Sequence, residues 1–316
     1  MNDTILTKYK ISMSLKTIVI NLFLPIRGIS AGAIRKGLKN YYSKKKTLKH
    51  DEYPDLKAKL LNPLHQLFVG SIPDEFSIMD NKLKFSSKGG LMSIQAYYVG
   101  QVEYHLTNYV VTHLLKDNMV FLDIGGHHGA FSLIVAKGLQ EKGYQGDIYC
   151  FEPDPVNIAF IKKNLDLNHL NEFVTIIPNA VSNHKGNFNL VTPGDNSCNW
   201  LESSSDPAGN YNVVTVKTET IDRFCDNLDR LDLVKIDIQG GELSALQGAR
   251  ETIKKHRPVL IIEIMNYSKG ANATKEFLES LGYKLYYLSE DSTLLKKGDP
   301  KIFVSWDVVA FYEPQK

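Results

Sequence analysis

Residues 123–129, Asp-Ile-Gly-Gly-His-His-Gly, close an apolar run and open a helical one, and their types suit binding of a small charged molecule. Glycine tolerates positive φ and lets backbone approach a ligand closely, so Gly125, Gly126 and Gly129 predict a tight, ligand-facing turn. The helix that follows offers backbone amides to an anionic group. Asp123, at the end of the apolar run, can accept hydrogen bonds from a cationic amine. S-adenosylmethionine carries such an amine and a carboxylate, with a sulfonium charge between them and its nucleoside. A dinucleotide diphosphate requires Gly-x-Gly-x-x-Gly, and the spacing here misses that pattern by one position.

A second acid, Glu152, ends the next apolar run, 29 residues after Asp123, and its two oxygens suit the two hydroxyls of a ribose. That spacing serves S-adenosylmethionine and a nicotinamide dinucleotide equally. Asp154-Pro155 behind it reads as a helix N-cap and first helical position. Asn179 and Ala180, in "IIPNAVSN", are candidates to face an adenine ring, and a simple turn explains them as well. Imidazole titrates near neutrality, so His127 is a candidate base. The simpler reading has one of His127 and His128 bonding the loop and the other facing solvent or the acceptor.

The stretch "DRLDLVKIDIQGGELSALQGA", Asp229 to Ala249, resembles the signature of the FkbM-type methyltransferases: a strand ending Lys-x-Asp-x-Glu-Gly-x-Glu, then Leu, Leu, Gly and Ala on a helix. Lys235, Asp237, Gly240, Glu242, Leu243, Leu246, Gly248 and Ala249 match it. So do Glu263 at the end of the apolar run in "RPVLIIEIMN", Asp222 in "TETIDRF", the "NAVS" turn, and Gly100-x-x-Glu103. The resemblance covers roughly residues 97–290. Two positions depart from it: Gln239 replaces a Glu, and Gly126-His127 replaces Ala-Asn.

The resemblance implies a class I methyltransferase fold, Rossmann-like, whose seven-stranded sheet is mostly parallel with an antiparallel last strand. It implies S-adenosylmethionine as cofactor, held by Glu103, Asp123, Gly125, Gly126, Gly129, Glu152, Asn179, Ala180 and Asp237. It implies methylation of a hydroxyl, with sugars of glycans or glycolipids as the expected acceptors. Asp237 stands at the reaction centre as base or as orienter of the acceptor, with a ligand of the methionine amine as the alternative. His127 and Glu263 are further catalytic candidates. Lys235 lies two residues before Asp237 and shares its strand face; with Glu242 and Trp200 it forms the expected acceptor-binding set. Glu242 at a helix start is equally explained by the helix dipole. Trp200 sits among amides and serines, and its ring suits stacking on a sugar. Asp237, Glu242 and Glu263 would admit a divalent cation, but Gln239 removes a ligand and no metal is expected. Two rivals remain: a scaffold that kept the fold without catalysis, and a nicotinamide-dependent oxidoreductase.

The elements that must position these residues are legible as periodicity. Apolar β-type runs at 119–124, 147–152, 173–177, 232–238, 258–264, 284–288 and 303–312 alternate with helical runs at 129–142, 155–168, 242–254 and 271–281. Such alternation predicts a parallel sheet covered by helices. The last two strands are too close for a crossover, so the final one is expected antiparallel to its neighbour. Asp80-Asn81 and Gly89-Gly90 predict hairpin turns ahead of a helix at about 101–115. Residues 187–217 read as a polar loop between two short strands.

The expected domains are a basic amphipathic extension at 1–50, an N-terminal subdomain or cap at 51–116, and the methyltransferase domain at 117–316. Residues 1–50 carry a charge balance of +10 and the remainder −8. Leu15, Ile18, Val19, Leu22 and Ile26 recur there at helical spacing, so the extension suits an anionic membrane surface, or packing on the body. It is too short in apolar residues to span a bilayer. Nucleic acid is not expected as a partner. Cys150, Cys198 and Cys225 form no C-x-x-C pair and read as reduced thiols of a cytoplasmic protein, peripheral to the membrane if the extension binds lipid.

Overall fold

A computed structural model describes residues 73–86, 96–97, 100–192, 200–201, 212–264, 270–288, 295–297 and 307–313. The extension at 1–50, the Gly89-Gly90 turn and most of the polar loop after Thr192 lie outside these residues. The chain opens with a hairpin, β1 (Glu75–Ile78) and β2 (Leu83–Ser86), followed by α1 (Tyr104–Tyr109) and a π-helical turn at Val110–Leu114. Then come β3 (Met119–Ile124), α2 (Ala130–Lys142), β4 (Gly146–Phe151), α3 (Pro155–Asn168) and β5 (Val174–Ile177). The short strands β6 (Ala180–Val181), β7 (Gly186–Thr192), β8 (Trp200–Leu201) and β9 (Asn212–Glu219) precede α4 (Ile221–Phe224) and β10 (Leu233–Ile236). The rest is α5 (Glu242–Gln247), α6 (Arg250–His256), β11 (Val259–Glu263), α7 (Ala271–Ser280), β12 (Tyr283–Leu288), β13 (Leu295–Lys297) and β14 (Asp307–Tyr312).

The central sheet has the order β13-β12-β14-β11-β10-β3-β4-β5. Strands β5, β4, β3, β10 and β11 pair in parallel, and β14 is antiparallel to both β11 and β12. This is the expected mostly parallel sheet with an antiparallel last strand, which separates it from an all-parallel dinucleotide-binding sheet. An eighth strand, β13, adds to the edge by pairing antiparallel with β12. Its three residues sit in "SEDSTLLKKGDPK", which reads as a plain connection. Residues 187–217 do more than loop: β7 and β9 pair over seven positions and form a second sheet with β6 and β8.

All six residues of β3 are buried, which is why 119–124 reads as a continuous apolar run rather than an alternation. Met119 and Phe121 pack with the hairpin, α1, α2 and α3. Val120, Leu122 and Ile124 face the other way, toward Ala245, Leu246, Ile253, Phe277 and Leu278 from α5, α6 and α7. Each fully buried side chain of this kind contributes about 1.5–3 kcal/mol, and the two layers hold the sheet from both sides. Among the described residues, no helix is long and apolar enough to cross a membrane.

Two local devices fix details that periodicity misses. The helical run at 242–254 breaks at Gly248, where a Cβ would lie 2.3 Å from the Ser182 carbonyl oxygen. The motif glycine thus lets α5 abut the "NAVS" turn, and Ser182 Oγ meets Ser244 Oγ at 3.1 Å. Asp222 of the "TETIDRF" motif caps α6, accepting from Thr252 N at 2.7 Å and Glu251 N at 3.2 Å. At the hairpin, two asparagines of α3 imitate a partner strand. Asn164 Oδ1 accepts from Ser86 N (2.6 Å) and its Nδ2 donates to Ser86 O (3.1 Å). Asn168 does the same for Lys84, at 2.8 and 2.7 Å.

Candidate active site

Strand order reverses between β3 and β10, and in such sheets ligands bind beyond the carboxyl ends at that point. The loops after both strands meet there. Gly125 has φ +89°, and a Cβ on it would fall 2.0 Å from the Asp237 carbonyl oxygen. Only glycine therefore lets the two loops touch. Gly125 N and Gly126 N both donate to Phe151 O at 3.0 Å, and Gly129 N donates to Gly126 O at 2.7 Å. The turn is rigid before any ligand arrives.

Glu152 is buried and braces this turn. Its Oε2 accepts from His127 N at 2.7 Å, and its Oε1 accepts from Asp154 N at 2.9 Å and Asn157 Nδ2 at 3.3 Å. Burial pushes its carboxyl up to about 7, against these three bonds, which favour the charged form. Asp154 caps α3 as its sequence suggests, accepting from Val156 N at 2.8 Å. Asn179 follows β5 and is half-buried, and buried Ala180 begins β6 beside it.

The histidines take roles set by packing. His128 is buried, with its ring between His127 (centroids 4.0 Å apart, stacked) and Phe160 (4.6 Å). Burial, then the neighbouring His127, lowers its pKa to about 3, and its ring is shut off from solvent. His127 has φ 51° and contributes its backbone amide to Glu152.

The carboxyl edge of β10, β11 and β3 gathers five acids around one lysine. Lys235 is 3% exposed; its Nζ donates to Asp237 Oδ2 at 3.0 Å and lies 4.0 Å from Glu103 Oε2. Asp123 faces it from the paired position on β3, and Asp307 starts β14 opposite Glu263. Burial opposes ionisation of Asp237, but Lys235 and hydrogen bonds outweigh it and hold Asp237 below the usual carboxylate range. Burial, then the Asp237 charge, drives Glu263 far upward. Burial likewise raises Glu103 and Asp123. Ser132 Oγ donates to Asp123 Oδ2 at 2.5 Å, while Asp123 Oδ1 and Glu103 Oε2 are buried without a hydrogen-bond partner.

Not every expected residue joins this group. Glu242 starts α5 away from the lysine, and its Oε1 accepts from Gly240 N (3.0 Å) and Ile238 N (3.2 Å), so this oxygen braces the loop that carries Gln239. Trp200 lies in β8 opposite Val191, and the residues flanking that strand are outside the described ones. Asp307 and the bridging role of Gln239 were not read from the sequence. The signal for Asp307 was available, because an antiparallel final strand must begin at the edge where the parallel ones end.

Residues 123–285 match the methyltransferase FkbM domain, just over half of the chain. The chain belongs to this family. Among curated relatives, the 2-O-methyltransferase NoeI of Sinorhizobium fredii is 27% identical over 164 residues, 47% of this chain and 64% of that protein. Methyltransferase 1 of Beauveria bassiana is 25% identical over 191 residues, 53% and 73% of the two chains. A solved FkbM methyltransferase from Methylobacillus flagellatus is 20% identical, with a TM-score of 0.41 over 82% of this chain and 61% of that one. The chain thus spans less than two thirds of the length of NoeI and of that structure.

Proposed function

We propose that this FkbM-family protein is an S-adenosylmethionine-dependent O-methyltransferase that acts on a hydroxyl of an uncharged sugar. The observation that carries the reading is Asp237, ionised by Lys235 at the point where the strand order reverses. The site fits the cofactor's chemistry. Two buried carboxyl oxygens, Asp123 Oδ1 and Glu103 Oε2, accept no hydrogen bond from the protein and suit an ammonium group. Glu152 keeps an acceptor site for a ribose hydroxyl beyond the three bonds it accepts from the protein. When bound, S-adenosylmethionine supplies an electrophilic methyl group. The protein's part is to orient the acceptor hydroxyl and to take its proton on Asp237, a general-base contribution of roughly 10²–10⁴-fold. The charge of Asp237 at the reacting centre, with Lys235 already paired to it, disfavours an anionic group at the reacting end of the acceptor. The 2-O-methyltransferase name of the Sinorhizobium relative supports an oxygen acceptor.

The test is calorimetric titration with S-adenosylhomocysteine, followed by methyl transfer from labelled S-adenosylmethionine to a panel of neutral sugars and uronic acids. Micromolar binding that Glu152→Gln abolishes, with label in neutral sugars only, is expected. Absence of binding sinks the reading and leaves the scaffold alternative. The basic extension supports docking on anionic membranes. Deletion of residues 1–45 is expected to abolish binding to phosphatidylserine vesicles, and unchanged binding refutes that part.

A further inference from the structure

Gln239 stands where the family signature has Glu, and its side chain has a defined place in the site. Its backbone is left-handed, φ 54°, a conformation costly for any residue but glycine. From this turn its single amide nitrogen donates to Asp237 Oδ1 at 3.0 Å and to Glu263 Oε2 at 2.9 Å. A primary amide has two hydrogens, so both bonds form together. An ionised carboxylate at the same position would have no hydrogen to give, and would set a second negative charge against that of Asp237. Lys235 takes the remaining oxygen of Asp237. Asp237 is therefore gripped at both oxygens, by a cation on one and a neutral amide on the other.

We propose that Gln239 is a positioning residue for methyl transfer, its amide clamping the Asp237 and Glu263 carboxyls so that Asp237 is fixed to receive the acceptor's proton. The inference rests on the methyltransferase reading of the site. The clamped pair holds one proton, on Glu263, where burial and the Asp237 charge put it. The charged groups facing the pair are Lys235 from β10, Asp123 from β3, Glu103 ahead of α1 and Asp307 from β14. When the acceptor O–H bond breaks, its proton goes to Asp237 and the pair carries two. An amide serves this arrangement because it donates to both carboxyls at every pH. A glutamate would need a proton of its own to make even one of these bonds.

Infrared difference spectroscopy of the carboxyl stretch tests the clamp without needing an acceptor. Wild type minus Glu263→Gln is expected to show one protonated carboxyl at neutral pH, and wild type minus Asp237→Asn none. Gln239→Glu adds a second protonated carboxyl at neutral pH. Gln239→Met, similar in size and without donors, takes a hydrogen bond away from the ionised form of each carboxyl, so the Glu263 band titrates at least about one pH unit higher. Binding of S-adenosylhomocysteine to Gln239→Met, measured by calorimetry, stays within about twofold of wild type, while its rate of methyl transfer to a sugar that wild type methylates falls tenfold or more. A Glu263 band unmoved in Gln239→Met overturns the clamp, as does loss of the homocysteine ligand from that variant with the band unchanged. If wild type binds no homocysteine, the methyltransferase reading fails, and the spectra still decide the clamp.

Discussion

Lys235 places its ammonium 3.0 Å from Oδ2 of Asp237, two residues along the same strand direction, in a site where the lysine is 3% exposed. Burial alone would drive a lysine toward neutrality, yet the surrounding acids hold it charged, well above its usual range. Removing it leaves Asp237, Asp123 and Glu103 without a cation. Breaking a buried pair on one side costs about 3–5 kcal/mol. Lys235→Met is expected to lose stability on that scale in urea titration and to raise the Asp237 pKa. Asp237→Asn, which still leaves Lys235 beside Glu103 and Asp123, is expected to lose less stability and to retain S-adenosylhomocysteine binding while transfer is lost. Equal destabilisation by both variants would contradict this account.

Gly126 departs from the family's alanine, and the structure gives the reason. A Cβ on Gly126 would fall 2.2 Å from Sγ of Cys150 on the neighbouring β4. The two residues share one volume. Gly126→Ala is expected to cost about 1–3 kcal/mol by overpacking, and Cys150→Ala to open the space again. The double variant should be more stable than the sum of the singles predicts, with a coupling of about 0.5–3 kcal/mol. Strict additivity in a double-mutant cycle would rule out the shared volume.

The same pair shows where sequence reading succeeds and where it stops. The inner strands β3 and β10 were legible because every residue in them is buried, so each reads as a nearly unbroken apolar run, as 119–124 does for β3. The helix over 155–168 was legible from Asp154-Pro155, and α3 spans those residues. Contacts between distant segments leave no period. Nothing local links Gly248 to Ser182, so the break between α5 and α6 was read as one helix. Strand β13 is three residues in a polar stretch, too short for alternation to register. In the site, the acids at strand ends were found because position on the sheet edge follows from strand direction. The bonds of Glu242 were not legible, because the spacing that sets it at a helix start does not reveal that its side chain turns back to Gly240.

Stability against pH separates two buried groups that act in opposite senses. His128 has a folded pKa of about 3 against 6.5 ordinarily, so its contribution is present above about 6.5 and is lost as pH falls toward 3. Glu152 is raised from 4.5 to about 7, so its contribution is present below 4.5 and is lost as pH rises through 7. Between 4.5 and 6.5 the two slopes oppose each other, each up to about 1.4 kcal/mol per pH unit. Against wild type, His128→Phe is expected to make stability fall more steeply with rising pH in that window, and Glu152→Gln to make it rise. Urea denaturation across the window checks both signs. Parallel shifts in the two variants would refute the assignment.

Asn164 and Asn168 hold the hairpin by presenting carboxamides to Ser86 and Lys84, alternate residues on one side of β2. An open strand edge is a site for unwanted pairing, and here a helix covers it with side chains four residues apart, one turn of α3. The two positions are not equivalent. The Ser86 bonds are buried, so Asn164→Ala strands a backbone donor and acceptor away from water, at about 1–3 kcal/mol. It also releases the Nδ2 bond to the His128 carbonyl, at 2.9 Å, which ties the hairpin to the glycine turn. The Lys84 bonds are exposed and water can replace them, so Asn168→Ala is expected to cost less than half as much. Hydrogen exchange at Ser86 N should quicken in Asn164→Ala, and S-adenosylhomocysteine affinity should weaken with it, because the turn loses its brace. Asn168→Ala should quicken Lys84 N alone and leave affinity unchanged. If Asn164→Ala leaves affinity at the wild-type value, the hairpin stabilises the fold without supporting the site.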